Sequence, residues 1–220
     1  MTHQQSPGRQ PPEHRHDHSA ALQDGLDFVN TLWNTKPAPR EDLPDLPSAV
    51  RWFDEYDLLH REMVREQLER HSHDDASSQP VLRRVQRVRA ALRELLDATV
   101  EHRPAEPAAL REVNRALRTH YIYELVPAPD GVTMDHRHEG DPIDGALARL
   151  AESVARELTK PDAARLRICD NPDCRWVFYD SSPSGRRRWC DMSTCGNRAK
   201  VARHRARQRE REEQDGQQSG

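Results

Sequence analysis

Several features of membrane and secreted proteins are missing from this chain of 220 residues. No run of about 18 apolar residues occurs, so no segment is expected to cross a membrane. The first 20 residues are rich in proline, glutamine, histidine and arginine, and they lack the apolar stretch of a secretory signal. We therefore expect a cytoplasmic protein with a disordered tail over residues 1–20.

The signatures of several enzyme classes are missing as well. Glycine is scarce, with 9 residues in the chain, and no phosphate-binding glycine loop is present. The chain also lacks the G-x-S-x-G pattern of serine hydrolases and the H-E-x-x-H pattern of zinc proteases. His60, His120 and His136 are scattered and do not form a catalytic constellation. The sequence therefore predicts that the protein is not an enzyme.

Hydrophobic periodicity predicts a mainly α-helical fold. Apolar residues recur at helical spacing in five segments, which are residues 22–33, 49–68, 80–101, 107–120 and 142–160. Ser48 is expected to cap the second of these helices. The period changes to that of β-strands on either side of Pro129-Asp130-Gly131, which predicts one small β-hairpin.

Cysteine is scarce too, and its four residues lie within 27 positions of one another, at Cys169, Cys174, Cys190 and Cys195. In a reducing cytoplasm, two cysteine pairs separated by a loop are typical of a metal site, with a redox dithiol as the alternative. Four thiolates complete the tetrahedral coordination of Zn²⁺ and leave no position for a reacting water. The sequence therefore predicts one structural zinc ion.

Charge is distributed unevenly along the chain. Residues 1–160 contain 21 basic and 28 acidic side chains, whereas residues 186–209 contain 9 basic and 1 acidic. An acidic body with a basic end is typical of proteins that contact a polyanion with one face. The alternative is a solvated charged tail.

The basic segment after the last cysteine favours a helix, because it contains no proline and no glycine beyond Gly196. In such a helix the cations at positions 200, 203 and 207 form one ridge. The small residues Ala199, Ala202 and Ala206 leave a narrow apolar strip, which we expect to dock on the zinc module.

A dense set of motifs surrounds the cysteines, including the runs Trp176-Val177-Phe178-Tyr179-Asp180, Arg187-Arg188-Trp189-Cys190 and Cys195-Gly196-Asn197-Arg198. Together these motifs closely resemble the CGNR-type zinc finger, a family in which the four cysteines bind zinc. The upstream run Leu26-Asp27-Phe28-Val29-Asn30-Thr31-Leu32 is similar to the opening motif of the ABATE domain. That domain precedes the finger in bacterial proteins described as stress-induced transcription regulators.

The resemblance implies two domains between two tails. We expect a helical ABATE-like domain with one small β-hairpin over residues 21–160, for dimerisation or effector sensing. A small four-cysteine zinc finger that ends in a basic helix is expected over residues 161–210. Residues 211–220 are expected to form a disordered tail.

The resemblance and the charge pattern together lead to the hypothesis of a DNA-binding transcription regulator. We expect double-stranded DNA to be contacted by Arg186, Arg187, Arg188, Asn197, Arg198, Lys200, Arg203, His204 and Arg207. Asn197 could equally bond the local backbone, and Arg198 could instead pair with Asp180. RNA binding, or a protein-interaction zinc module without sequence-specific DNA readout, is the alternative function. The absence of a regularly spaced aromatic platform argues against RNA.

The helical domain has two expected roles. One short finger reads few base pairs, so we expect a homodimer on a repeated half-site, with the helical domain as the dimer surface. Asn30, Trp33 and Trp52 are polar or aromatic residues in otherwise apolar segments. They are candidate ligands of a small-molecule effector, with ordinary packing and capping as the alternative for each.

Overall fold

The computed structural model describes residues 18–33, 38–70, 77–119, 121–161 and 163–218. The helices in these ranges are α1 (His18–Val29), α2 (Leu46–Glu55), α3 (Arg61–Arg70), α4 (Ser78–Val100), α5 (Pro107–Ala116), α6 (Pro142–Leu158) and α7 (Asn197–Gln218). The strands are β1 (Leu32–Trp33), β2 (Arg40–Glu41), β3 (Tyr121–Ala128), β4 (Gly131–His138), β5 (Leu166–Ile168) and β6 (Val177–Tyr179). They pair in chain order as three antiparallel hairpins. The mainly helical fold predicted from the sequence is confirmed.

The long helix α4 lies at the centre of the helical domain and packs against α1, α2, α5 and α6. Its buried face includes Val85, Val88, Leu92, Leu95 and Leu96. These positions recur at the spacing of one helical face, which is why an amphipathic sequence of this length folds as a core helix. None of the described helices is long and apolar enough to cross a membrane.

Helix α1 packs closely against α6 at Gly25. A Cβ at this position would lie 2.7 Å from Ser153 Oγ and 2.7 Å from Val154 Cγ2. Val154 is fully buried, so its side chain has no free space into which to move. The close packing of the two helices therefore depends on the missing side chain at residue 25.

Replacing Gly25 with alanine is expected to destabilise the protein, even though alanine is the better helix former. The added methyl group overpacks the contact between α1 and α6, and we expect the free energy of unfolding to fall by about 1–3 kcal/mol. Urea denaturation followed by circular dichroism measures this change. An unchanged or higher denaturation midpoint would show that α1 and α6 can separate at no cost.

The start of α2 and the end of α1 differ from the sequence prediction. Asp45 caps α2, because its carboxylate accepts a 2.7 Å hydrogen bond from the Ser48 amide, and this bond lowers the pKa of Asp45. The prediction of Ser48 as the cap is therefore wrong by three residues. At the end of α1, Thr31 Oγ1 donates a hydrogen bond to the Phe28 carbonyl. Trp33 consequently lies in strand β1 and not in the helix.

The predicted hairpin forms from β3 and β4. The two strands are joined by a two-residue turn at Pro129 and Asp130, and Ala128 pairs with Gly131. Gly131 has a φ of 132°, a conformation that residues with a side chain rarely adopt. The hairpin that Pro129-Asp130-Gly131 predicted is therefore confirmed.

Helix α7 differs from the sequence prediction in two respects. It continues to Gln218, so the tail expected to be disordered over residues 211–220 is helical as far as that residue. Arginine, glutamate and glutamine dominate this stretch and are good helix formers. The apolar strip does not dock as expected, because Ala202 and Ala206 are exposed. Alanine offers too little apolar surface to hold a highly charged helix against its neighbour.

Candidate metal centre and nucleic-acid interface

The first two cysteines are positioned by the hairpin of β5 and β6. Cys169 follows β5, and its amide donates a 2.8 Å hydrogen bond to the Trp176 carbonyl, which extends the ladder by one step. Cys174 lies in the turn between the strands, where its amide donates to the Asn171 carbonyl at 2.9 Å. Arg175 has a φ of 56°, so the chain reverses sharply after the second cysteine. Both thiols consequently lie at the same end of the hairpin.

The second pair lies around a single π-helical turn over Met192–Gly196, directly before α7. The carboxylate of Asp191 caps this turn by accepting hydrogen bonds from the Thr194 amide at 2.8 Å and from Ser193 Oγ at 2.6 Å. These bonds lower the pKa of Asp191. A wide turn of this kind directs the Cys195 sulfur back towards Cys190 and starts α7 beside the metal site.

The four cysteine sulfur atoms are clustered at one site. All four lie within 4.8 Å of one another, with 3.6 Å between the sulfurs of Cys174 and Cys190 and 3.8 Å between those of Cys190 and Cys195. A tetrahedron with Zn–S bonds of about 2.3 Å has edges of about 3.8 Å. The Asn171 side-chain amide donates a hydrogen bond to the Cys195 sulfur at 3.4 Å, as outer-sphere groups do at metal centres. The site therefore fits the one structural zinc ion expected from the sequence. That all four cysteines bind this ion stays a prediction.

The electrostatics of the thiols also favour a cation at this position. Hydrogen bonds from the neighbouring thiols of Cys174 and Cys190 lower the pKa of Cys169. The hydrogen bonds to Cys169 in turn raise the pKa of Cys174 and the pKa of Cys190. Four sulfurs this close cannot all be ionised without a compensating charge. When bound, Zn²⁺ supplies that charge and keeps all four sulfurs as thiolates.

The loop between the cysteine pairs is held together by Asp180 and Arg187. The buried Asp180 carboxylate accepts hydrogen bonds from the amides of Ser182 at 3.0 Å and Arg187 at 2.8 Å. It is therefore satisfied by the backbone, and not by Arg198 as the sequence suggested. The Arg187 guanidinium donates to the Cys190 carbonyl and lies 5.1 Å from the centre of the Phe178 ring. Arg187 thus contributes to the packing of the finger itself.

The finger and the helical domain are joined by a clamp at Asn30. The Asn30 side-chain amide donates to the Val177 carbonyl at 2.8 Å, and its oxygen accepts from the Val177 amide at 3.0 Å. Beside this pair, the rings of Trp33 and Trp176 meet edge to face at 4.6 Å. Asn30 and Trp33 therefore lie together at the boundary between the two domains.

Two further features make this boundary rigid. Arg93 of α4 donates a 2.9 Å hydrogen bond to the carbonyl of Arg175, next to a zinc ligand. Leu166, Ile168 and Val177 of the finger hairpin belong to the same buried cluster as the core of the helical domain. The finger consequently does not fold around the metal alone, because half of its hairpin is anchored in a large apolar core.

Removing the clamp with Asn30→Ala is expected to lower the free energy of unfolding by about 2–4 kcal/mol, because two buried backbone groups of Val177 lose their partner. Chemical denaturation measures the loss. The matched control is Asn114→Ala, since Asn114 lies exposed on α5 and its replacement should be nearly neutral. Equal stability of the two variants would show that the clamp does not hold the finger in solution.

The remaining basic residues form an exposed surface beside the zinc site. Asn197 donates to the Ser193 carbonyl at 2.9 Å, which is the local bond considered as its alternative role. Arg188 is exposed, although it pairs with Asp170 at 2.6 Å and lies 5.2 Å from the Trp189 ring centre. The other side chains predicted to contact DNA that are exposed are Arg186, Arg198, Lys200, Arg203, His204 and Arg207. Most of the predicted DNA-binding residues are therefore accessible, in the loop between the cysteine pairs and on α7.

Of the three residues expected to bind an effector, Asn30 and Trp33 lie together at the domain boundary, whereas Trp52 packs within the helical domain. Trp52 stacks on Tyr56 with ring centres 4.1 Å apart, within the helical domain. Trp33 donates its indole N–H to Asp42 at 2.6 Å. A cavity does lie between α4, α5, the base of the β3–β4 hairpin and α6, but none of the three residues lines it. Effector binding by these residues stays a prediction.

Comparison with known families agrees with the geometry of both domains. Residues 165–208 match the CGNR zinc finger, and residues 25–161 match the ABATE family, described as "Putative stress-induced transcription regulator". The chain belongs to the ABATE family. A comparison with curated proteins found no match. Neither matching description names an enzyme.

Sequence reasoning missed how this ABATE–CGNR chain uses two polar residues. Asn30 was considered as an effector ligand or as an ordinary packing or capping residue, whereas its partner in the structure is Val177, 147 residues away. Arg89 was not singled out, yet it is buried on α4 and bonds Thr31 Oγ1 at 2.8 Å and Glu41 Oε1 at 2.6 Å. The available signal was a charged residue on the apolar stripe of a helix, which indicates a buried ion pair.

Proposed function

We propose that this ABATE–CGNR protein is a transcription regulator whose finger binds double-stranded DNA through α7 and the loop before it. The supporting observation is the exposure of α7, where residues 201–209 are all exposed. Residues 197–209 contain six lysine or arginine side chains and no acidic one. A solvated helix with this charge attracts the phosphates of a duplex.

The dimensions of this segment suit the major groove. Thirteen helical residues span about 20 Å, and the major groove admits one α-helix. The zinc site and the Asp191 cap hold the first turn of α7, so the helix would enter the groove in a fixed orientation. Lys200, Arg203 and Arg207 lie on one ridge that would follow a phosphate strand, and Arg198 could reach base edges near the helix start.

The clamp between the domains gives the helical domain a part in this function. Because Asn30 bonds the backbone of the finger hairpin, any partner or ligand that moves α1 would also move the metal site. We infer that the helical domain positions two fingers on a repeated half-site as a homodimer. A small-molecule effector bound in the helical domain would act by changing the positions of the two fingers.

Fluorescence anisotropy at about 150 mM salt tests the proposal, because non-specific phosphate binding is weak there. The probes are the upstream intergenic duplex of the protein's own gene, an unrelated duplex and an RNA of matched sequence. We expect tight binding to the upstream duplex alone. Equal weak binding to all three probes would contradict sequence-specific regulation, and preference for RNA would favour the RNA-binding alternative.

A further inference from the structure

The β3–β4 hairpin carries an apolar face that is largely exposed in the described part of the chain. Alternation along the strands places Tyr123, Leu125, Val132 and Met134 on the same face, since Leu125 pairs directly with Met134. Their exposed fractions are 63%, 74%, 72% and 66%. Such a concentration of exposed apolar side chains on one element is typical of an interaction surface.

The hairpin is also poorly supported by its own domain. It forms a sheet of two strands only, and it meets the helices at its base, where the His138 side chain lies against Gly145 of α6. A two-stranded hairpin is marginally stable by itself and needs a further layer on its apolar face. The exposed face therefore requires a cover of similar apolar character.

We propose that this face is the homodimer interface, covered by the same face of a second copy of the chain. This inference deepens the proposed function, because it names the surface that pairs two DNA-binding fingers. The contact is isologous, with the Leu125–Met134 pairs of the two hairpins stacked across a two-fold axis.

The distribution of apolar surface favours a second copy as the partner. The other large apolar side chains that are exposed in the described ranges are Leu32, Leu110, Met192 and Val201. They are divided among β1, α5 and the finger. None of these three places carries four exposed large apolar side chains, as the hairpin face does, so the apolar surface of matching size is the hairpin face of a second copy.

The area of the face agrees with a dimer. A large apolar side chain contributes on the order of 100 Å² when it is buried, so the four side chains give about 400 Å² per copy. A stable interface buries about 800 Å² per partner, of which slightly more than half is apolar. The face thus supplies most of the apolar part that a dimer interface needs.

Sedimentation equilibrium of the full-length, zinc-loaded protein tests the interface. The wild type is expected to be a dimer at micromolar concentration. Leu125→Glu should raise the dimer dissociation constant by about tenfold or more, because two charges would be buried at the centre of the contact. The matched control Leu110→Glu places the same charge on α5 and should leave the constant unchanged. A milder variant, Val132→Thr, keeps the β-propensity of the strand and should weaken the dimer without unfolding the hairpin.

Two results would overturn the interface: a monomeric wild type, or a Leu125→Glu variant that dimerises as tightly as Leu110→Glu. Zinc content and the far-ultraviolet circular dichroism spectrum report whether each variant is folded. DNA binding is measured separately on a single half-site. If the wild type dimerises through the hairpin but binds no duplex, the proposed function fails and the interface stands. If half-site binding persists in a protein that never dimerises, the interface alone is wrong.

Discussion

Cys174→Ser is expected to lose stoichiometric zinc and, with it, the ordered start of α7. Serine stays protonated at neutral pH and cannot replace a thiolate ligand, while structural zinc in small modules contributes apparent binding free energies of about 10–16 kcal/mol to folding. We expect zinc per chain to fall from about one to near zero after dialysis, as measured by atomic emission. Residues 181–196 should become sensitive to limited proteolysis at the same time.

The helical domain should survive this substitution. Its core is built around α4 and buries residues from α1, α2, α5 and α6, so most of the helical circular dichroism signal should remain. The control variant is Ser184→Ala, since Ser184 lies exposed in the same loop and should leave both zinc content and proteolysis unchanged. Retention of one zinc ion per chain by Cys174→Ser, with an intact loop, would contradict the assignment of the metal ligands.

The double substitution Lys200→Ala and Arg203→Ala is expected to have the largest effect on DNA binding. Both side chains are exposed on one ridge of α7, and each phosphate contact contributes about 0.9 to the slope of log K against log salt. Losing two contacts should reduce that slope by about 2 and weaken binding by on the order of tenfold or more at physiological salt. Alanine is the best helix former, so α7 itself should persist.

The matched control removes the same amount of positive charge from the helical domain. Arg61 and Arg65 are exposed on α3, and replacing both with alanine changes the net charge of the protein by the same amount. Anisotropy titrations between about 50 and 200 mM salt compare the two variants. Equal slopes for the two double variants would place the DNA contact outside α7.

The contacts at the boundary between the domains divide the finger into two parts, which respond differently to the loss of zinc. Val177 and Ile168 are anchored in the core of the helical domain, whereas Cys190 and Cys195 depend on the metal and on local turns. Loss of zinc should therefore release the loop and α7 but leave β5 and β6 in place. A regulator of this construction could pass a change in α1 to its finger through Asn30 without a flexible linker.

Much of the local structure could be predicted from the sequence. The stripe of α4, the turn at Pro129-Asp130-Gly131 and the four zinc ligands all depend on spacing between near neighbours, which a single sequence displays directly. Boundaries were less well predicted, because Asp45 competes with Ser48 for the same helix end and both are good capping residues. The extension of α7 to Gln218, in place of the disordered tail expected over residues 211–220, was not predicted, because a charged segment without apolar periodicity does not show where a helix ends.

The sequence alone determined the chemistry of this protein, namely a four-thiolate zinc site followed by a cationic helix on a helical domain. Tertiary structure decided how that chemistry is used. It assigned Asn30 and Trp33 to the boundary with the finger, gave Arg187 a role inside the finger, and left Ala202 and Ala206 of α7 facing solvent. These outcomes depend on contacts between residues up to 147 positions apart. Periodicity and spacing report only on neighbours along the chain, so the partner of a buried polar group becomes visible only once the chain has folded.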